Sequence, residues 1–127
     1  MAPTSTKTVL DVGNCVPDHA AIRQLITSHF GARVLQSHLP SDTIETLRQQ
    51  AVDLVLINRK LDQDYSDGLE ILKQIKADGQ LKQVPVMLVT NYADHQALAI
   101  AAGAEPGFGK LAISAPDTLE KLRRFLG

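Results

Sequence analysis

Short apolar runs alternate with amphipathic stretches along this chain. Residues 9–12 (VLDV) read as a short strand interrupted by Asp11. The stretch PDHAAIRQLITSHF then places Ala21, Ile22, Leu25, Ile26 and Phe30 at helical spacing. Pro17 suits the first turn of that helix, Asp18 suits the positive end of its dipole, and Gly31 suits its end. ARVLQS predicts a second strand. Ser41 or Asp42 can cap a second helix that runs to about Gln50 and carries Ile44, Leu47 and Arg48. DLVLI predicts a third strand, apolar at every position after Asp53, as a strand covered on both faces should be.

A polar loop follows, then a helix over LEILKQIKAD with Leu69, Leu72 and Ile75 inward, started by Asp67 and closed by Gly79. VPVMLVT predicts a fourth strand. DHQALAIAAG predicts a helix with Asp94 near its start and Gly103 at its end. A weaker strand is predicted near residues 106–108. SAPDTLEKLRRFL predicts a last helix, with Ser114 and Pro116 as start signals. Five strands alternating with five helices define an α/β class: parallel strands need helical crossovers, and right-handed crossovers put helices on both faces. One doubly wound domain over residues 1–127 is expected, with residues 1–7 a loose tail.

In such a sheet, ligands and chemistry gather at the carboxyl ends of the strands. The sequence puts Gly13, Asn14 and Cys15 there after the first strand and Asn58 and Arg59 after the third. Thr90 and Asn91 follow the fourth, and Gly109 and Lys110 the fifth. Those positions resemble the receiver domain of bacterial two-component response regulators. The resemblance covers essentially the whole chain through DLVLIN…DGLEILKQIK, VPVMLVTN, AIAAGAEPGFGK and the closing amphipathic helix.

That resemblance implies a flavodoxin-like sheet of strand order 2-1-3-4-5. It also implies a site where an Asp takes a phosphoryl group from a histidine kinase, helped by an acidic pair holding Mg²⁺, a Thr or Ser, and a Lys. The chemistry explains each residue type, since a carboxylate is a nucleophile, Mg²⁺ wants hard oxygens, and a hydroxyl and an ammonium bind phosphate oxygens. Thr90 and Lys110 match the last two positions. The nucleophile position falls on Asn58. The acidic pair falls on Gly13 and Asn14, or on Asn14 and Cys15 in the other register.

Three acids are therefore absent from one site. An amide nitrogen is a poor nucleophile, and neutral oxygens with a thiol make a poor Mg²⁺ site. The expectation is a pseudo-receiver: not an enzyme, without cofactor, with Mg²⁺ binding weak or absent. Further departures from the family pattern are a loop from Asn58 to Gly68 about two residues longer, Leu111 in place of a proline, and Gly107 in place of an aromatic.

Charge adds two expectations. Lys110 has lost its family partners and is expected to pair with Asp62, Asp64, Asp67 or Asp11, or with backbone carbonyls. Asp11, inside a central strand, must find a Lys or a backbone donor, or sit at the site rim. An alternative function is a working acceptor displaced to Asp62, Asp64 or Asp11. Another is a small-ligand sensor in the vacated pocket. DQDYSD fails the calcium-loop pattern, because its sixth and twelfth positions fall on Asp67 and Lys73. A flavin phosphate would lack a cradle in GNCVPDH. Asn58 itself suits a local role, bonding nearby backbone. His19, His29, His38 and His95 lie on different elements, with no metal spacing on one helix face.

The resemblance also implies partners. Another signalling protein, an output domain, or a second copy of the chain would use the face of helix 4, strand 5 and helix 5. Here that face would hold His95, Leu98, Phe108, Leu119, Leu122 and Arg123. A net charge of -1, from 13 basic and 14 acidic residues, gives no electrostatic footprint for nucleic acid or a membrane surface. The single cysteine excludes an intrachain disulfide, and MAPTSTKT lacks a secretion signal's apolar core. A cytoplasmic setting is the default expectation.

Overall fold

The computed structural model describes residues 6–127. Its elements are β1 (Thr8–Val12), α1 (Val16–Phe30), β2 (Arg33–Ser37), α2 (Pro40–Gln49), β3 (Leu54–Asn58) and α3 (Gly68–Ala77), followed by β4 (Val86–Val89), α4 (Ala93–Ala101), β5 (Glu105–Phe108) and α5 (Pro116–Leu126). A single 3₁₀ turn, Lys110–Ala112, links β5 to α5. The sheet is parallel with order β2-β1-β3-β4-β5, as the resemblance implies.

Strand alternation divides the core into two layers. Leu10 and Val12, Val55 and Ile57, and Val86 and Leu88 face one side, under Leu47, Leu72, Ile75 and Ala99 of α2, α3 and α4. Val9, Leu54 and Leu56, and Met87 and Val89 face the other, under Ile22, Ile26, Leu122 and Leu126 of α1 and α5. The odd face of β1 is apolar at Val9 and carries Asp11 next.

Several boundaries differ from the sequence expectation. Of the expected tail over residues 1–7, Lys7 is tied to the sheet through its carbonyl, which accepts from Arg33 N–H at 2.8 Å, and residues 1–5 lie outside the described residues. Helix α2 starts at Pro40, so neither Ser41 nor Asp42 is its cap. Asp42 sits in the first turn, where its carboxylate accepts from the backbone N–H of His38 and Leu39. Helix α3 ends at Ala77 and is capped by Asp78 rather than closed by Gly79. Helix α5 is preceded by Ala115 rather than capped by Ser114, with Pro116 at its first position.

Strand β5 corrects the expected partner face. Its register against β4 shifts between Met87 and Val89. A Cβ on Gly107 would lie 2.1 Å from the Leu88 carbonyl oxygen, so only glycine lets the two backbones approach this closely. Gln96 spans the irregularity, donating to the Leu88 carbonyl (2.9 Å) and accepting from Gly107 N–H (3.0 Å). Phe108 then points into the α1/α5 layer and is buried. Leu122 is buried too, on the inward stripe Thr118, Leu122, Leu126. Neither can form part of a docking face. Leu98 and Arg123 are exposed, and His95 and Leu119 half-buried.

Candidate functional site

Asn58 closes β3 and is 8% exposed. Its amide Nδ2 donates to the Gly13 carbonyl (3.0 Å) and to the Lys60 carbonyl (2.7 Å). Two carbonyl acceptors on one side fix the amide's orientation, because only nitrogen can face both. Asn58 thus has the local backbone-bonding role expected of it. The Gly13 carbonyl also accepts from Asp62 N–H at 3.0 Å, so one oxygen ties the end of β1 to both ends of the segment 58–62.

The β1–α1 turn is built tightly against that segment. Gly13 has φ +71°, and a Cβ there would lie 2.4 Å from Leu61 Cδ2. Leu61 is fully buried. The space in front of position 13 is thus filled by an apolar side chain. A Gly13→Ala variant is expected to lose roughly 2–4 kcal/mol, from the left-handed backbone and from overpacking. Chemical denaturation measures this, and an unchanged midpoint would contradict the packing described.

Asn14 is fully buried and turned away from Asn58. Its Nδ2 donates to Asp11 Oδ1 at 2.5 Å. His19 Nδ1, one turn into α1, lies 2.6 Å from Asp11 Oδ2. Among the described residues Asp11 therefore finds neither a Lys nor a backbone donor, and being fully buried it is not at the rim. It is fully buried between two side chains of the β1–α1 unit. Burial pushes its carboxyl above the ordinary carboxylate value, against the opposing pull of the His19 and Asn14 bonds. The spacing of Asp11 and His19 could have signalled this pair, since a strand's odd face and the first turns of the next helix meet across a short turn.

Lys110 also departs from expectation. Its Nζ pairs with Asp18 of α1 at 3.0 Å, not with Asp11 or the acidic loop. The same Asp18 oxygen accepts from Cys15 Sγ at 3.2 Å. Two of the three loop acids, Asp64 and Asp67, serve the loop and the start of α3 instead. Asp67 caps α3 through Leu69 N–H (2.9 Å) and pairs with Arg59 (2.8 Å). Asp64 accepts from the backbone N–H and hydroxyl of Ser66, which lower its pKa. Asp62 lies 3.6 Å from His38 Nδ1. Tyr65 N–H to the Leu61 carbonyl (3.0 Å) and Leu61 N–H to the Ser66 carbonyl (2.9 Å) close the loop on itself.

Thr90 Oγ1 lies 3.1 Å from His95 Nδ1 and accepts from Tyr92 N–H at 3.3 Å. Asn91 Oδ1 accepts from Leu111 N–H at 3.1 Å, joining the β4 and β5 loops. Cys15, Asn58, Thr90, Asn91 and Lys110 thus line one open cavity of about 500 Å³, and Gly13 and Asn14 do not line it. Among the described residues, no cluster of three or more His, Cys, Asp or Glu is placed to hold a metal ion.

A five-stranded parallel sheet of order β2-β1-β3-β4-β5, with Asn58, Thr90 and Lys110 gathered at one cavity on its carboxyl edge, defines the class. Residues 15–110 match the response regulator receiver domain family, and the chain belongs to that family. The polar-differentiation response regulator DivK of Brucella ovis is 28% identical over 125 residues, 96% of this chain and 98% of that protein. The receiver domain of NtrX from Brucella abortus has the same fold, with a TM-score of 0.79 at 21% identity over 93% of this chain and 97% of that one. The chemotaxis response regulator CheY4 of Vibrio cholerae gives 0.75 at 17% identity over 96% of this chain and all (100%) of its own. Receiver domains are in general signalling modules that interact with other signalling proteins or output domains. No helix among the described residues is long and apolar enough to cross a membrane.

Proposed function

We propose that this chain is a receiver module that signals by non-covalent binding and takes no phosphoryl group. The observation that carries the reading is the pairing of Asn58 Nδ2 with two backbone carbonyls, beneath a turn where Leu61 fills the space in front of Gly13. Three acids are missing, and at position 13 the space a side chain would need is packed by Leu61. The donor set does not fit Mg²⁺: Gly13 offers no side chain, Asn14 is turned to Asp11, and Asp62, the one carboxylate lining the cavity, lies beside His38.

The displaced acceptors fare no better. Asp11 is fully buried with both oxygens bonded, and Asp64 is held in its own turn. The partner is a signalling protein or an output domain. On the α4/α5 side it would meet Leu98 and Arg123 rather than Phe108 or Leu122.

Incubation with acetyl phosphate and Mg²⁺ is expected to leave the intact mass unchanged. A gain of one phosphoryl group, lost on replacing Asp62 or Asp64, would overturn the proposal.

A further inference from the structure

We propose that the cavity above Asn58 binds a small planar aromatic anion that also carries an N–H donor. This goes beyond the reading above and stands apart from it: a chain could bind such a ligand whether or not it accepts a phosphoryl group.

The cavity's volume of about 500 Å³ suits a ligand of nucleotide size or smaller. Its floor holds an unused acceptor. Asn58 is only 8% exposed, and both its amide bonds leave from nitrogen. Its Oδ1 receives no hydrogen bond among the described residues. Asp62 Oδ1 is buried without a hydrogen bond but lies 3.6 Å from His38 Nδ1, so it faces that ring. The Asn58 amide oxygen is the acceptor that an N–H group on a ligand can use.

The walls supply stacking surface. Tyr65 is 70% exposed and Tyr92 is 64% exposed, and both line the cavity. Tyr65 has φ +59°, a left-handed backbone that costs a bulky residue about 1–2 kcal/mol. Strain retained at an exposed ring beside a cavity points to use of that ring. Planar aromatic ligands stack on such faces.

Charge selects an anion. The ionised groups lining the cavity are Arg59, Lys60 and Lys110 against Asp62. Arg59 and Lys110 each pair with an acid that does not line the cavity. Lys60 has no carboxylate partner among the described residues, and its Nζ lies 5.7 Å from the centroid of the Tyr65 ring. Cation and ring thus present together, as a ligand with an aromatic body and an anionic group would use them.

Nucleoside monophosphates and indole carboxylates share this chemistry. Titration of ¹⁵N-labelled protein with guanosine monophosphate, indole-3-carboxylate and inorganic phosphate separates the sources. Saturable shifts at amides of residues 58–65 and 90–92 are expected with one or both aromatic anions, and not with phosphate. Tyr65→Ala and Lys60→Met, both at exposed positions that leave the core intact, should each weaken binding about tenfold. Arg23→Ala at an exposed position of α1 should leave it unchanged. Binding of phosphate alone at equal strength, binding that survives both loop substitutions, or no saturable shift with either aromatic anion would overturn the proposal.

Discussion

An Asn58→Asp variant is expected to be less stable than the parent by roughly 2–4 kcal/mol at neutral pH, and to remain unphosphorylated with acetyl phosphate and Mg²⁺. In the family pattern this change restores the acceptor. Here it removes both donors of a buried amide. The new carboxylate oxygen would face the carbonyls of Gly13 and Lys60, now 3.0 and 2.7 Å from Nδ2. Acceptor would meet acceptor in a site that is 8% exposed. Protonating the new carboxyl restores one donor, so its folded pKa lies above its unfolded one. The deficit then shrinks as pH falls through that folded value. Urea unfolding at neutral and acid pH, with intact mass after phosphodonor treatment, tests both parts. A variant as stable as the parent that gains a phosphoryl group would show the site to be one substitution away from activity.

The second large effect is expected at His19. Removing His19 leaves the fully buried Asp11 carboxyl without one of its two hydrogen-bond partners, at a cost of about 3 kcal/mol for His19→Ala at neutral pH. Asp11 would keep only Asn14. Asp11→Asn should cost much less, because an amide oxygen can still accept from His19 Nδ1–H while no charge is buried.

The pH dependence follows from the direction of the Asp11 shift. Its folded pKa is raised by burial. Its contribution is thus fully present below the unfolded carboxylate value of 3.8 and is lost as pH rises through the folded value. The His19→Ala deficit should therefore diminish on acidification into the window just above that value. Asp78, whose pKa is lowered first by the Gln80 backbone N–H, works in the opposite sense, losing its contribution as pH falls through its folded value. Denaturation midpoints of parent, His19→Ala and Asp11→Asn across that window separate the two. A His19→Ala deficit that stays constant with pH would remove Asp11 as its cause.

The sequence by itself determined the sheet, its helices and the positions at its carboxyl edge. Period-two and period-3.6 patterns are local properties, and each β–α unit carries its own turn signals. The expectation that Asn58, with Gly13 and Asn14 or Asn14 and Cys15, takes the place of acids also rests on motif spacing, which needs no side-chain directions. Only the tertiary structure decided where charges pair. Asp18, not the acidic loop, meets Lys110, because the start of α1 is brought beside the turn after β5 while Asp64 and Asp67 are held by Ser66 and the start of α3. His19 meets Asp11 across the β1–α1 turn, and Leu61 fills the space in front of Gly13. Phe108 and Leu122 turn inward because a register shift in β5 and a stripe of buried residues four apart on α5 aim them at the core. Pairing and direction depend on how elements far apart in the chain approach one another, and no local pattern encodes that approach.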